Sequence, residues 1–320
     1  TVPYTLGEVK NSFSISTDSP NNSTEEQIIN KALKFHSKGN ILEAAKYYQL
    51  FITQGFTDSR VFSNYGVILK DLGELKQAER LTRKAITINP IDSNAHNNLG
   101  NILRDLSRSK EAELSIRKAI ELNPIFAEAH STLGNILRNN GKLKEAEIFS
   151  KRAIKLNPYR AESHLNLGNI LKDLGKSKEA ENCYSKAIEL RPGYHSAYIN
   201  RAQLLFDNKE FDKALRDSDS RDTKESRAFS IEILYALGRI NEIYERIENT
   251  YKLDENNIRM AAFSSFISER EMKNTANNFC RDPLSFLHFS NLKTHIEQYE
   301  QFINEITNEL REVEMIWEPK

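Results

Sequence analysis

The sequence predicts an all-α chain of repeated helix–turn–helix units followed by further helices, on three observations. Pro90, Pro124, Pro158 and Pro192 stand 34 residues apart; Gly66, Gly100, Gly134 and Gly168 keep the same interval, as do Ala44, Ala78, Ala112, Ala146, Ala180 and Ala214. A fixed period of this length is an internal repeat. With the proline counted as position 32, units begin at Glu25, Ser59, Ser93, Ala127, Ala161 and His195, six copies of which the outer two are degraded.

Residues 1–23 are rich in Ser, Thr, Asn and charge without periodicity, and are expected to be a flexible tail. Within a unit, the residues at positions 4, 7, 8 and 11, such as Phe62, Tyr65, Gly66 and Leu69, fall on one side of a first helix. Position 15 is Gly39, Gly73, Gly141 or Gly175 in four units, where glycine takes the positive φ that ends a helix. A second helix comes after it. Position 8 is always Gly or Ala and position 20 always Ala, so the paired helices can approach closely. The position-32 proline lacks an N–H and turns the chain into the next unit.

The outer units depart from the pattern with Lys31 at position 7 and Phe56 in the proline slot, and with Arg201 and Lys209 at positions 7 and 15. Terminal units of a stack are expected to be atypical. The polar run from Asp217 to Asp222 cuts the sixth unit short, and the stack is expected to bend or end there. Residues 227–249 read as another hairpin turning at Gly238, and 257–268 as a covering helix, so 220–280 is taken as a degenerate capping region. Residues 291–316 carry Leu292, Ile296, Tyr299, Phe302, Ile303, Ile306, Leu310 and Val313 at spacings of mostly three and four, an amphipathic helix within a segment 281–320 that reads as a linker.

The spacing of Leu99-Gly100, Ala112, Ala119 and Pro124 resembles the tetratricopeptide repeat, over residues 25 to about 219. The resemblance implies a right-handed solenoid with six units over 24–219 and a protein or peptide as partner. Position 24, usually aromatic in that family, is Tyr48 and Tyr184 but Thr82, Ile116 and Ser150 elsewhere, which predicts a looser seam.

Forty-five basic residues balance forty-five acidic ones, so no net field attracts nucleic acid or an anionic membrane. Apolar residues at 39% and charged ones at 28% fit a folded chain with a large solvated surface. Cys183 and Cys280 are too few for a disulfide framework, which predicts the reducing cytoplasm. No long apolar run or signal-peptide pattern occurs. The chain begins at Thr1 and stops at Lys320, and reads as a piece of a longer protein.

At about 100° per residue, the face opposite the packing positions is 2, 6, 9 and 13, which is expected to line a concave groove. Position 6 reads Asn30, Asn64, Asn98, Thr132, Asn166 and Asn200; position 9 adds Asn101, Asn135 and Asn169, and position 13 is mostly Asp. An asparagine offers an acceptor and a donor on one short arm and can bond both C=O and N–H of an extended peptide, whatever its side chains. Copies of one asparagine-rich ancestor would show the same column as plain solvated surface. Asparagine's helix cost of up to about 0.7 kcal/mol relative to alanine argues against neutral retention. The column, with the phrase Ala95-His96-Asn97-Asn98-Leu99-Gly100, is similar to the asparagine ladder in the tetratricopeptide region of O-linked N-acetylglucosamine transferase, with Thr132 as a gap.

Other signals look chemical and read as structural. His96, His130 and His164 repeat every 34 residues but occupy packing position 4, a full repeat step apart, too far to share a metal. Lys70, Arg104, Arg138 and Lys172 at position 12 read as a groove rim rather than a phosphate site, Cys183 as a small core residue, and Asn22-Ser23-Thr24 as an accidental sequon. No GxGxxG, GxxxxGK[ST], GxSxG, HExxH or HxD constellation occurs, so no catalytic residue and no cofactor or metal is expected. The stretch from Asp282 to Leu292, continuing to Pro319, resembles the segment joining some bacterial repeat arrays to a 2-oxoglutarate/iron(II) oxygenase module, whose facial triad would then lie beyond Lys320. The leading expectation is a non-catalytic scaffold gripping a polypeptide. The alternatives are a substrate-recognition arm of a larger oxygenase or, less favoured, glycosyltransferase, and a spacer that self-associates through 291–316. The oligomeric state is left open.

Overall fold

The computed structural model describes residues 24–254 and 257–276. The proposed tail at 1–23, the amphipathic helix at 291–316 and the oxygenase-like segment lie outside these residues. The chain divides into two compact units between Pro192 and Gly193. Among the described residues all regular structure is helical, and no helix is long and apolar enough to cross a membrane.

The first unit contains five hairpins: α1 (Glu25–Ser37) with α2 (Ile41–Thr53), α3 (Ser59–Asp71) with α4 (Leu75–Ile88), α5 (Ser93–Asp105) with α6 (Ser109–Leu122), α7 (Ala127–Asn139) with α8 (Leu143–Leu156), and α9 (Ala161–Asp173) with α10 (Ser177–Leu190). The second helix of each of the first four pairs also packs on the first helix of the next pair, so the hairpins stack. The starts are set by capping. Thr24 and Gln27 form a reciprocal capping box on α1, and Asp58 and Asp92 accept from the first backbone N–H groups of α3 and α5.

Position 15 ends every first helix in the left-handed region, at φ 75 for Gly39, 83 for Gly73, 74 for Gly141 and 73 for Gly175. The third repeat makes the same turn with Ser107 at φ 61. Its Cβ is strained there, since left-handed backbone is unfavourable for residues other than glycine.

Position 8 of repeats two to five has no room for a side chain. A Cβ on Gly168 would sit 2.6 Å from Cε1 of Tyr184, and Gly66, Gly100 and Gly134 meet Thr82, Ile116 and Ser150 even more closely. Thr82, Ile116 and Ser150 are fully buried, so the seam expected to loosen at position 24 stays closed to solvent. The hydroxyls of Thr82 and Ser150 have no hydrogen-bond partner, which is the cost of filling an aromatic slot with a small polar residue. The buried face is also wider than positions 4, 7, 8 and 11. Val61, Ala95 and Ala129 at position 3 and Ile68, Ile102, Ile136 and Ile170 at position 10 are closed off too, because these first helices pack against neighbouring repeats as well as against their own partners.

The outer faces of the second helices are tied by charge. Glu79, Glu113 and Glu147 each pair with a cation one turn on in the same helix (Arg83, Arg117, Lys151) and with one from the next repeat (Arg108 at 2.7 Å, Lys142 at 3.1 Å, Lys176 at 2.8 Å). Lys151 and Lys176 hold the Glu147 carboxyl below its ordinary range.

The second unit holds α11 (His195–Asp207), α12 (Phe211–Asp219), α13 (Lys224–Ala236), α14 (Ile240–Thr250) and α15 (Ile258–Arg270). The sixth hairpin, α11 with α12, shares one core with α13, α14 and α15: Ala202, Leu205, Ala214 and Leu215 pack with Phe229, Ile233, Leu234, Ile243, Met260 and Ile267. The polar run in the sequence points to a boundary at 219 instead. Arg201, a cation at a packing position, is answered there by both oxygens of Asp217 at 2.6 and 2.7 Å, so the polar run that shortens α12 also supplies the counter-charge. The hairpin read at 227–249 begins earlier, at Lys224, because Thr223 and Ser226 form a capping box.

Two substitutions test this geometry with opposite signs. Gly168→Ala is expected to lower stability by about 1–3 kcal/mol through overpacking against Tyr184. Ser107→Gly is expected to raise it by about 1 kcal/mol by releasing left-handed strain. Urea unfolding monitored by circular dichroism reads both; the same shift for the two would refute the account.

Candidate functional site

A polar cleft of about 390 Å3 opens on the first helices of the first unit. It is lined by Arg60, Ser63, Asn64 and Val67 of α3, by Asn94, Asn97 and Asn98 of α5, by Asp92 and Phe126 just before helices, and by His36 and Glu128. In repeat numbering these side chains come chiefly from positions 2, 5, 6 and 34. The helical periodicity pointed to positions 2 and 6. It missed position 5, and position 34, the residue before each first helix, where Asp92 and Phe126 stand. The signal for position 5 was present, since Ser63 and Ser131 also fall in register, but a hydroxyl column draws less notice than an amide one.

Of the asparagine column, Asn64 and Asn98 are brought together in this cleft. Asn98 Nδ2 donates to Ser63 Oγ of the preceding repeat at 3.0 Å, and Asn166 Nδ2 donates to Ser131 Oγ at 3.1 Å. Part of each amide is therefore an inter-repeat tie. Asn64 lies beside the Tyr48 hydroxyl. Asn30 is exposed on α1, Thr132 is buried at 8%, and Asn200 belongs to α11 in the second unit. The position-9 residues Asn101, Asn135 and Asn169 are half-buried; Asn101 Nδ2 bonds the Asn97 carbonyl at 3.2 Å, and Asn169 Oδ1 accepts from the Tyr184 hydroxyl at 2.9 Å.

The position-12 cations face carboxylates rather than an open anion site: Lys70 pairs with Asp71 at 2.9 Å, Arg104 with Asp105 at 2.9 Å and Arg138 with Asp173 at 2.5 Å. The histidine column has a defined task. His96, His130 and His164 donate from Nε2 to the carbonyls of Pro90, Pro124 and Pro158 at 3.0, 3.0 and 2.9 Å, pinning each inter-repeat turn. Among the described residues no group of three or more histidine, cysteine or carboxylate side chains is placed to hold a metal. Cys183 is half-buried rather than enclosed, and burial pushes its thiol up to about 11, so it stays protonated at neutral pH.

Models of the tetratricopeptide repeat match residues 59–92, 81–113, 116–148 and 161–194. Tetratricopeptide repeats are thus detected at these residues, and the all-α repeat fold read from the 34-residue period is the observed one. The chain is similar in fold to a tetratricopeptide repeat protein from Parabacteroides merdae (19% identity, TM-score 0.56, covering 77% of this chain and 96% of that one). It is also similar to pilF of Pseudomonas aeruginosa (20%, TM-score 0.55, 65% and 97%) and to a thermophilic repeat protein of Thermus thermophilus (18%, TM-score 0.50, 57% and 100%). The curated proteins gave no match.

His36 at the cleft edge has its imidazole pushed below the ordinary 6.5 by burial, with Asp71 opposing in part, and its Nδ1 lies 3.0 Å from the Tyr48 hydroxyl. The folded chain therefore takes up this proton less readily than the unfolded one, so stability is expected to fall as pH drops below 6.5. Urea midpoints between pH 7.5 and 5.5 should decline for the wild type and much less for His36→Gln; equal declines would discard the assignment.

Proposed function

We propose that the first unit is a non-catalytic interaction scaffold that receives an extended polypeptide along the floor formed by its first helices. The observation that carries this reading is the 390 Å3 cleft in which Ser63, Asn64, Asn94, Asn97 and Asn98 from two successive repeats converge. Neighbouring helices pack about 8–10 Å apart, and an extended chain rises about 3.3 Å per residue, so one rung meets roughly every third ligand residue. Side-chain amides and hydroxyls can bond a backbone without regard to its sequence. Each such bond contributes on the order of 1 kcal/mol net, and several must act together. The tetratricopeptide fold supports the same reading, because a stack of hairpins presents its spare helix faces as one extended surface.

The test uses a partner taken by affinity capture and reduced to a synthetic peptide. Asn64→Ala combined with Asn98→Ala is expected to weaken binding about tenfold, near 1.4 kcal/mol, with helical circular dichroism unchanged. Ser63→Ala breaks the same inter-repeat bond as Asn98→Ala while leaving the amide in place, so it separates loss of a rung from loss of a tie. Unchanged affinity of the double variant would sink the proposal.

A further inference from the structure

We infer that the cleft reads one side chain of the bound segment, a lysine or arginine, at an acceptor left unsatisfied on its floor. This rests on the reading that the cleft holds an extended polypeptide. Asn97 is only 2% exposed, and its Oδ1 has no hydrogen-bond partner. Its Nδ2 donates to Glu128 Oε1 at 3.4 Å. A carboxylate only accepts, so the amide cannot be turned round to satisfy the oxygen. A buried acceptor without a donor is costly, and a ligand N–H would recover that cost.

The unpaired oxygen has a cause in the repeat. At the junctions on either side of it, the pair formed by position 5 of one repeat and position 6 of the next is hydroxyl then amide, and it closes: Ser63 with Asn98, Ser131 with Asn166. Between the third and fourth repeats the order is inverted, Asn97 then Thr132. The amide now sits where the hydroxyl should be, and its oxygen is left over.

The surroundings select a cation among donors. Asp92 and Glu128 both line the cleft. Arg60, the arginine on the cleft lining, is held by both carboxylate oxygens of Asp58, so its charge is answered. Burial lowers the proton affinity of His36, which disfavours a positive charge there. Arg160 answers Glu128 at Oε2, which leaves Asp92 as the negative excess. Val67 and Phe126 offer apolar wall to a long aliphatic stem. An acidic side chain would face Asn97 Oδ1, Asp92 and Glu128, all acceptors.

The probe is a positional-scanning library of extended synthetic decapeptides, one position fixed in each sublibrary, binding to the full chain. The expected result is retention of sublibraries with fixed Lys or Arg about tenfold over those with Asp or Glu. Asn97→Leu removes the acceptor at similar size, and Asp92→Asn removes the charge while keeping a competent helix cap. Both are expected to abolish the basic preference, read within each variant as the ratio of Lys or Arg retention to Asp or Glu retention, whatever the overall affinity of that variant. Absence of a basic preference, or its survival in both variants, overturns the inference and leaves the scaffold reading standing. Failure of every sublibrary to bind the wild type overturns both. Should Asn97→Leu not fold, Asp92→Asn alone decides.

Discussion

The repeats of the first unit depend on one close approach, the missing side chain at position 8. Gly66, Gly100, Gly134 and Gly168 leave the second helix room to lie against the first, and the residue at position 24 fills the gap. Because the gap is set by backbone, the fill can vary from Tyr184 through Ile116 to Ser150 while each stays fully buried. In repeats two to five a methyl group at position 8 would meet the position-24 side chain, and that side chain or the helix bearing it would have to shift. The first repeat differs, since Ala32 already carries a methyl group there and is fully buried, as is Tyr48.

Once the hairpins have a fixed thickness, their stacking repeats every polar contact with the same offset. Histidine-to-proline-carbonyl bonds pin the turns, amide-to-hydroxyl bonds join the first helices, and carboxylates shared between two cations join the second helices. The three sets lie at different depths and so respond differently to solvent. The outer ion pairs are exposed to screening by salt. The amide bonds and those of His130 and His164 are half-buried and short-ranged, so they are the ones that fix the register of the first helices.

Much of this was legible in the sequence because a 34-residue period multiplies each local signal. A single glycine or proline says little, whereas four in register locate the turns, and position 15 marked the ends of the first helices even where Ser107 replaced glycine. The direction in which the asparagines are satisfied was not legible. That depends on which neighbour each amide meets, and the neighbour is 35 residues away, at position 5 of the preceding repeat. The division after Pro192 was also hidden, because the period runs on into the sixth hairpin. Only the shared core of Ala202 and Leu205 with Phe229 and Ile233 shows that this pair packs with the helices on its C-terminal side. Arg201 looked like decay of a terminal repeat and is instead half of a bidentate ion pair with Asp217.

The use of the amides within the stack changes what the inner face can offer. An asparagine that gives one N–H to a serine of the preceding repeat keeps its oxygen and one N–H, so a column such as Asn98 and Asn166 is biased toward accepting. A ligand backbone has one N–H and one C=O per residue, and an acceptor-biased floor satisfies the first better than the second. On the proposed reading, affinity per rung is then nearer one hydrogen bond than two, about 1 kcal/mol, which favours long segments over short motifs. Selectivity cannot come from such rungs, since every polypeptide presents the same backbone. It must come from places where the repeat departs from its own rule. In the first unit the inverted pair at Asn97 and Thr132 is such a place, and its asparagine lies on the wall of the polar cleft. In the proposed scaffold, regularity and irregularity thus have separate roles: the period builds the surface, and its exceptions mark where that surface would discriminate.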